Sequence, residues 1–353
     1  MNRPRPPAMS DVAVVAGVSH QTVSRVLNGH PSVRPETRQR VLDAIARLGY
    51  RRNTAARALV TRRTGTIGVV SSGSALFGPT STLIAVEVAA RDAGFFVSVA
   101  TVARWDAQGV HGVLEHLMAQ GVEGVVVIAA HDDAVDAVQA FDAPVPVVMV
   151  GPKDLPHGRP SIAVDQYAGA RLATRHLLDL GHSDVVHLAG PQDWLDARSR
   201  VRGWRDELAA AGVRPGAQIT GDWTAGRGYD VGRDLVRQGV PSAVFAANDQ
   251  LALGLLRAFA EAGVRVPHDV SVVGFDDVDG SAHFFPPLTT VRQEFGELGR
   301  RCLELLLGAL TGTSVASEGG MALVEPELVV RGSTGPPRPG PGTVDPVGRP
   351  GGR

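Results

Sequence analysis

The apolar residues change rhythm along the chain. Between 9 and 50 they recur every three to four positions, as one face of a helix requires. Val12, Ala13 and Ala16 form one set, Val23, Val26 and Leu27 a second, Val41, Ile45 and Leu48 a third. The spacing predicts three short helices over 9–50. Gly17 stands where the first must end, and Ser19 is a natural N-cap for the second. Residues 51–64 (RRNTAARALVTRRT) are basic and poor in apolar side chains, and read as a linker. From Thr66 short continuous apolar runs take over, at 67–71, 95–101, 124–129, 145–150, 161–164, 185–189, 243–247 and 271–275. Helical stretches separate most of them, for example 167–180 and 251–262, and several end in glycine: Gly94, Gly121, Gly181, Gly212, Gly263. Continuous apolar strands alternating with helices predict parallel sheets covered on both faces. The fold class is α/β. The stretch is too long for one small sheet, so two subdomains are expected.

The predicted boundaries are a disordered tail at 1–8, a helical domain at 9–50, a linker at 51–64 and a body at 65–331. Within the body, one subdomain takes about 65–163 and 295–322, the other about 164–292 and 323–331. Residues 332–353, dominated by glycine and proline, read as a second disordered tail.

Charge is unevenly placed. Residues 1–65 carry twelve arginines against three acids, a balance of +9, while the whole chain sums to −1. A basic block on an acidic body predicts a polyanionic partner for the block alone. One cysteine, Cys302, excludes a disulfide framework. No metal-ligand spacing is present and no metal or cofactor is expected. The N-terminal residues lack the apolar stretch of a secretory signal, and no run is apolar enough to span a bilayer. A cytoplasmic protein without membrane contact is expected.

The first two predicted helices have helix-turn-helix geometry. With Val23, Val26 and Leu27 inside, the second presents His20, Gln21, Ser24 and Arg25 outward. Arginine pairs with guanine and glutamine with adenine, while Ser24 and Asn28 suit phosphates. An ordinary helical hairpin is the alternative.

The segment Asp11-Val-Ala…Ala16-Gly-Val-Ser…Thr22-Val-Ser-Arg-Val-Leu-Asn28 resembles the signature of the lactose/galactose repressor family. The likeness continues through Thr37-Arg38, Leu48-Gly-Tyr50 and Asn53…Ala56…Leu59. It extends through Leu188-Ala-Gly-Pro191, Gly221-Asp-Trp223, Ala247-Asn-Asp-Gln250, Ser271-Val-Val-Gly274, Asp276-Asp277 and Pro286-Pro-Leu-Thr-Thr290 to about Gly332. The resemblance implies a DNA contact set of Ser19, His20, Gln21, Thr22, Ser24, Arg25 and Asn28. It adds Asn53, Ala56 and Leu59 on a hinge helix, Leu59 wedging between bases in the minor groove. Packing of Leu59 on its own domain is the alternative. Two departures stand out: Arg52 where proline is frequent, and His20 where lactose-type members carry tyrosine.

The resemblance also implies a body like the periplasmic sugar-binding proteins, with ligand at the carboxyl ends of the strands. Arg200, Asn248 and Asp276 match the hydroxyl-binding core, and Trp223 the stacking ring. Gln293 and Phe295 match positions at the subdomain crossover, and Ser72 and Leu76 the N-subdomain side. Planar polar groups bind vicinal hydroxyls while an aromatic face covers the C–H side. Taken singly, Asp276 also reads as a helix cap, Trp223 as core and Arg200 as a surface ion pair. Gly151 stands where lactose-type members have aspartate, and Asp196 replaces a serine, as a relocated carboxylate would.

The expected function is a transcriptional repressor released from a pseudo-palindromic operator by a small sugar. A galactoside comes first and another β-linked disaccharide second. A homodimer is expected, not a tetramer, with 84–93 and 95–99 supplying much of its face. A co-repressor-dependent member is the nearest alternative. A transport binding protein is disfavoured by the N-terminal domain. An enzyme is disfavoured by the lack of a dinucleotide fingerprint, P-loop or Ser-His-Asp set.

Overall fold

The computed structural model describes residues 5, 7–51, 63–73, 75–102, 104–151, 159–313 and 322–338. The chain divides into two compact units, Met1–Thr64 and Gly65–Arg353.

The first unit holds α1 (Met9–Ala16), α2 (His20–Leu27) and α3 (Pro35–Leu48). Val12, Val23 and Val41, one from each helix, are fully buried, with Leu27, Ile45 and Leu48 packed around them. Gly17 closes α1 at φ 62°, a conformation that carries no steric penalty only in glycine. Pro35 opens α3 at the position where its missing N–H costs nothing. At the N-terminus, Asp11 accepts from the Ala8 N–H (2.8 Å) and from Arg5 (3.0 Å).

The second unit contains two six-stranded sheets. The first is built from β1 (Thr66–Ser71), β2 (Phe96–Thr101), β3 (Val125–Ile128), β4 (Val147–Val150), β5 (Ser161–Val164) and β11 (Ala322–Val324). Their order is β11-β5-β4-β3-β1-β2 and all neighbours are parallel. The second is built from β6 (Val185–Ala189), β7 (Gln218–Thr220), β8 (Ala243–Ala246), β9 (Ser271–Asp276), β10 (Thr289–Arg292) and β12 (Glu327–Val329). Its order is β12-β10-β9-β8-β6-β7, parallel except for the β10–β12 edge pair. All eight predicted strands are present. Helices α4 (Phe77–Asp92), α5 (Ala107–Ala119), α6 (Asp132–Gln139) and α11 (Phe295–Thr311) clothe the first sheet. Helices α7 (Gln166–Asp179), α8 (Leu195–Ala210), α9 (Ala225–Gln238) and α10 (Asp249–Glu261) clothe the second. The chain crosses between sheets three times: after β5, after β10, and between β11 and β12. Each sheet is sandwiched between apolar layers, so β3, β4 and β8 are buried on both faces. Among the described residues no helix is long and apolar enough to cross a membrane.

The expected C-terminal tail is not free over its first part. Residues 332–338 run along the second sheet. Ser333 is fully buried, its Oγ accepting from Thr289 N–H (2.7 Å) and donating to Val272 O (2.6 Å). Gly335 O accepts from Ser271 Oγ (3.0 Å) and Arg338 pairs with Asp269 (2.9 Å). Glycine and proline composition predicted poor burial; backbone and hydroxyl hydrogen bonds hold the segment instead.

Candidate functional site

On the first unit, Ser19 caps α2: its Oγ accepts from Thr22 N–H (3.2 Å) and meets Thr22 Oγ1 at 2.9 Å. Both hydroxyls therefore order the helix start before they reach any partner. Burial of Val23 and Val26 turns His20, Gln21 and Arg25 to solvent on one face. Ser24 is half-buried and its Oγ accepts from Asn28 Nδ2 at 3.4 Å. Asn53, Ala56 and Leu59 lie outside the described residues.

In the second unit the predicted ligand residues gather at the carboxyl ends of the strands. Arg200, one turn into α8, is almost fully buried. Its Nε donates to Gln166 Oε1 (2.9 Å), its Nη1 to Ala247 O, and its Nη2 lies 3.7 Å from Asp276 Oδ1. Gln166 Nε2 in turn donates to Gln293 Oε1 (2.8 Å), and Gln293 Nε2 to Asp276 Oδ1 (2.6 Å). The four side chains close a ring. One member starts α7, one sits in α8, one ends β9 and one follows β10. The Arg200 guanidinium also lies 3.8 Å over the Phe275 ring. A buried charge is tolerable only with partners of this kind.

Burial pushes the Asp276 carboxyl up to about 7, against the pull of Arg200 and with Asp249 adding to the rise. Asp249, fully buried, is raised to about 6 by the same cause. It accepts from Thr290 Oγ1 (2.5 Å), Ser281 Oγ (2.6 Å) and Val278 N–H (2.9 Å). Asp196 is also raised by burial, with Arg200 opposing.

Asn248 caps α10 through Leu251 N–H (2.9 Å) and donates to Trp223 O (3.1 Å). Trp223 lies flat on Gly190, where a Cβ would stand 2.2 Å from the indole. Trp223, Asp276 and Asp277 hold φ of 73°, 109° and 50°. Such conformations cost ~1–3 kcal/mol each in non-glycine residues and gather at functional sites. All three follow or end strands of the second sheet.

Above the ring is a small cavity of about 50 Å³ between the two sheets' strand ends. Asp196, Gln293 and Phe295 line it, as does Gln166. Gly151 lines it too: a Cβ there would meet Ala129 O at 2.6 Å, so a side chain would need the β3–β4 ends to shift. Arg200 and Asp276 stand behind that lining, bonded to Gln166 and Gln293, and neither they nor Asn248 and Trp223 line the cavity. Ser72 follows β1 and Leu76 starts α4. Leu76 packs against the core of the second sheet, bridging the subdomains; neither residue lines the cavity.

Three participants escaped the sequence reading: Gln166, Trp194 and the paired role of Asp249. Trp194 lines the cavity with its ring 5.6 Å from that of Trp223 at 75°. Gln166 had no chemical signature beyond its place at the start of a helix next to a crossover.

A helix-turn-helix unit followed by a two-sheet, thrice-crossed body defines the class: a DNA-binding transcriptional regulator with a periplasmic-binding-protein-like body. Residues 8–53 match the bacterial regulatory proteins of the lacI family, and residues 174–334 the periplasmic binding protein-like domain. The chain is 37% identical over 332 residues to the lactose operon repressor of Escherichia coli (strain K12), covering 94% of this chain and 91% of that one. It is similar to the crystal structure of a lac repressor dimer bound to operator and the anti-inducer ONPF, at a TM-score of 0.80 and 36% identity over 94% of this chain and 100% of that one. A complex of the transcriptional regulator CelR with cellobiose matches at a TM-score of 0.68 and 35% identity, covering 93% and 99%. The chain belongs to the lacI family of bacterial regulatory proteins. These relatives are regulators of transcription.

Proposed function

We propose that the protein is a transcriptional repressor that a small saccharide releases from its operator. The observation that carries the reading is the buried ring of Arg200, Gln166, Gln293 and Asp276 beneath a cavity lined by Trp194, Asp196 and Phe295. It offers a guanidinium, two amides and a carboxylate at fixed spacing, beside aromatic faces. That set recognises vicinal hydroxyls and a C–H face together. A β-linked disaccharide fits the chemistry, a galactoside first and cellobiose second, in line with the likeness to the lactose operon repressor and to the cellobiose complex of CelR. Asp196 supplies the carboxylate that Gly151 does not. At about 50 Å³ the cavity is smaller than small-ligand sites, ~300–1,000 Å³, so the subdomains part for entry.

His20, Gln21 and Arg25 read base edges, Ser19, Thr22, Ser24 and Asn28 position the helix on the backbone, and Asn53, Ala56 and Leu59 act at the minor groove. A homodimer on a pseudo-palindromic operator pairs two such units. Ile84 (58% exposed) and Val88 on α4, with Phe96 (61%) and Val99 on the edge strand β2, form an apolar face that supports the dimer.

The test is a thermal-shift screen of mono- and disaccharides. A ligand of the native state alone raises the melting temperature by mass action. Arg200→Ala and Asp276→Ala are expected to lose that shift and still bind operator. A variant that responds at wild-type sugar concentrations removes its residue from the site.

A further inference from the structure

The cavity has a neighbour. On the far side of Trp194, a pocket of about 320 Å³ is lined by Trp105, His131, Asp132, Asp133 and Asp193. These residues come from the loop after β2, the loop after β3 with the start of α6, and the loop after β6. The pocket therefore sits at strand carboxyl ends of both sheets, as the inner cavity does.

The partition between the two spaces is thin. Trp194 faces the inner cavity and His131 the outer pocket, and their rings stand 4.7 Å apart, edge to face at 68°. The partition is also held in place. His131 and Trp194 form an antiparallel bridge, Leu195 N–H donates to Ala130 O (3.0 Å), and Arg198 grips Asp132 with bonds to both carboxylate oxygens (2.8 and 2.7 Å). A residue of one subdomain thus backs a residue of the other, and two rings fill the space between the pockets.

The outer pocket has the chemistry of a sugar subsite and not of a cation site. One of its walls is the Trp105 indole. Asp132 is already neutralised by Arg198. Asp193, whose side chain is 72% exposed, stands 3.8 Å from His131 Nδ1, and Asp133 opens α6 toward solvent. An aromatic face with flanking carboxylate acceptors suits one pyranose ring.

From this geometry we infer that Trp194, backed by His131, sets the length of saccharide the protein accepts, closing off the Trp105–Asp133–Asp193 pocket, which has room for one further ring only when the indole is gone. The inference rests on the saccharide reading above and names the residue that bounds its ligand. With the partition in place the effector ends at Trp194. With the indole removed, a longer β-linked chain runs from the inner cavity into the outer pocket.

Calorimetry on the full-length protein tests this with lactose, cellobiose and the trisaccharides that extend each by one β-linked ring. In wild type, the disaccharide is expected to bind better than its trisaccharide. In Trp194→Ala the ratio of trisaccharide to disaccharide affinity should rise by about tenfold or more, a step of ~1.4 kcal/mol. Trp194→Phe should keep the wild-type ratio. Adding Asp133→Asn and Asp193→Asn to Trp194→Ala should remove the gain. If Trp194→Ala does not fold, His131→Ala takes its place, since it thins the same partition from behind. An unchanged ratio, or a gain that survives loss of both aspartates, overturns the inference and leaves the saccharide reading standing. A wild-type protein that binds none of the four sugars overturns both.

Discussion

Arg200 is a full charge placed inside a sheet-and-helix layer, and each of its neighbours answers a part of that cost. Gln166 and Ala247 accept from it, Phe275 offers a ring face, and Asp276 faces it without a close bond. Because the pair stands 3.7 Å apart and is shielded from water, burial outweighs attraction at Asp276. The carboxyl titrates near 7, well above the ordinary ~4 of the unfolded chain. The folded protein therefore holds this proton over a range where the unfolded chain has lost it. The contribution to stability is present below about pH 4 and is lost as pH rises toward 7, ~1.4 kcal/mol for each unit of displacement. Asp249, raised to about 6, acts in the same direction. Asp276→Asn removes one of the two titrations, so its melting temperature should fall less than wild type's between about pH 4.5 and 7.5. Parallel curves would show that Asp276 is ionised throughout. On the DNA face, Arg25 is exposed on the outer side of α2 and should pair with a guanine. Arg25→Ala is expected to cost ~1–3 kcal/mol of operator affinity and to relax one operator position. Competition binding against operators altered at single positions reads this directly, and undiminished affinity would remove Arg25 from the base-reading set.

At the scale of elements, the segment 332–338 behaves as a strap across the second sheet. Ser333 alone satisfies Thr289 N–H through its hydroxyl and Val272 N–H through its carbonyl (2.9 Å). Ending the chain after Arg331 leaves both donors buried and unpaired, at ~1–3 kcal/mol each. We expect a clear fall in the denaturant midpoint for that truncation and none for one after Arg338. A midpoint unmoved by the first would mean that water replaces Ser333. The strap marks where sequence stops being informative. The eight predicted strands were legible as short apolar runs, seven of them buried along most of their length and the eighth, β2, an exposed apolar edge. Four others were not. β7 is three residues long at a sheet edge, β10 (TTVR) holds a single aliphatic residue, and β11 and β12 are three residues each. The helix-turn-helix was legible because Val12, Ala13, Ala16, Val23 and Val26 supply the inner faces of its two helices in one local pattern. The site divides along the same line. Arg200, Asn248 and Asp276 sit at ends of elements that the pattern locates. Gln166 and Trp194 acquire their roles only when the chain crosses between sheets and sets residues 127 apart, as Gln166 and Gln293 are, within 2.8 Å. No local periodicity encodes that meeting.

For the whole molecule the question is how a sugar between two sheets alters a grip on DNA in another part of the chain. Three crossings join the two sheets, and a sugar bound in the cavity between them would act directly on the angle they make. A sugar that touches both the Arg200 ring and the Phe295 side would favour one orientation, and we propose that this orientation weakens the grip on operator. A ligand shifts such an equilibrium only by its differential affinity for the two states. Coupling of this kind amounts to ~1–3 kcal/mol, so saturating sugar should weaken operator binding by ~5–150-fold. Reciprocity is obligatory: operator must weaken sugar binding by the same factor. Two titrations close the cycle, labelled operator with and without sugar, and sugar with and without operator. Unequal factors would mean that the oligomer changes during the experiment, which light scattering would show as a departure from a dimer. A sugar that tightens the operator complex would make this protein a co-repressor-dependent regulator, with the cavity stabilising the DNA-bound orientation instead of the released one.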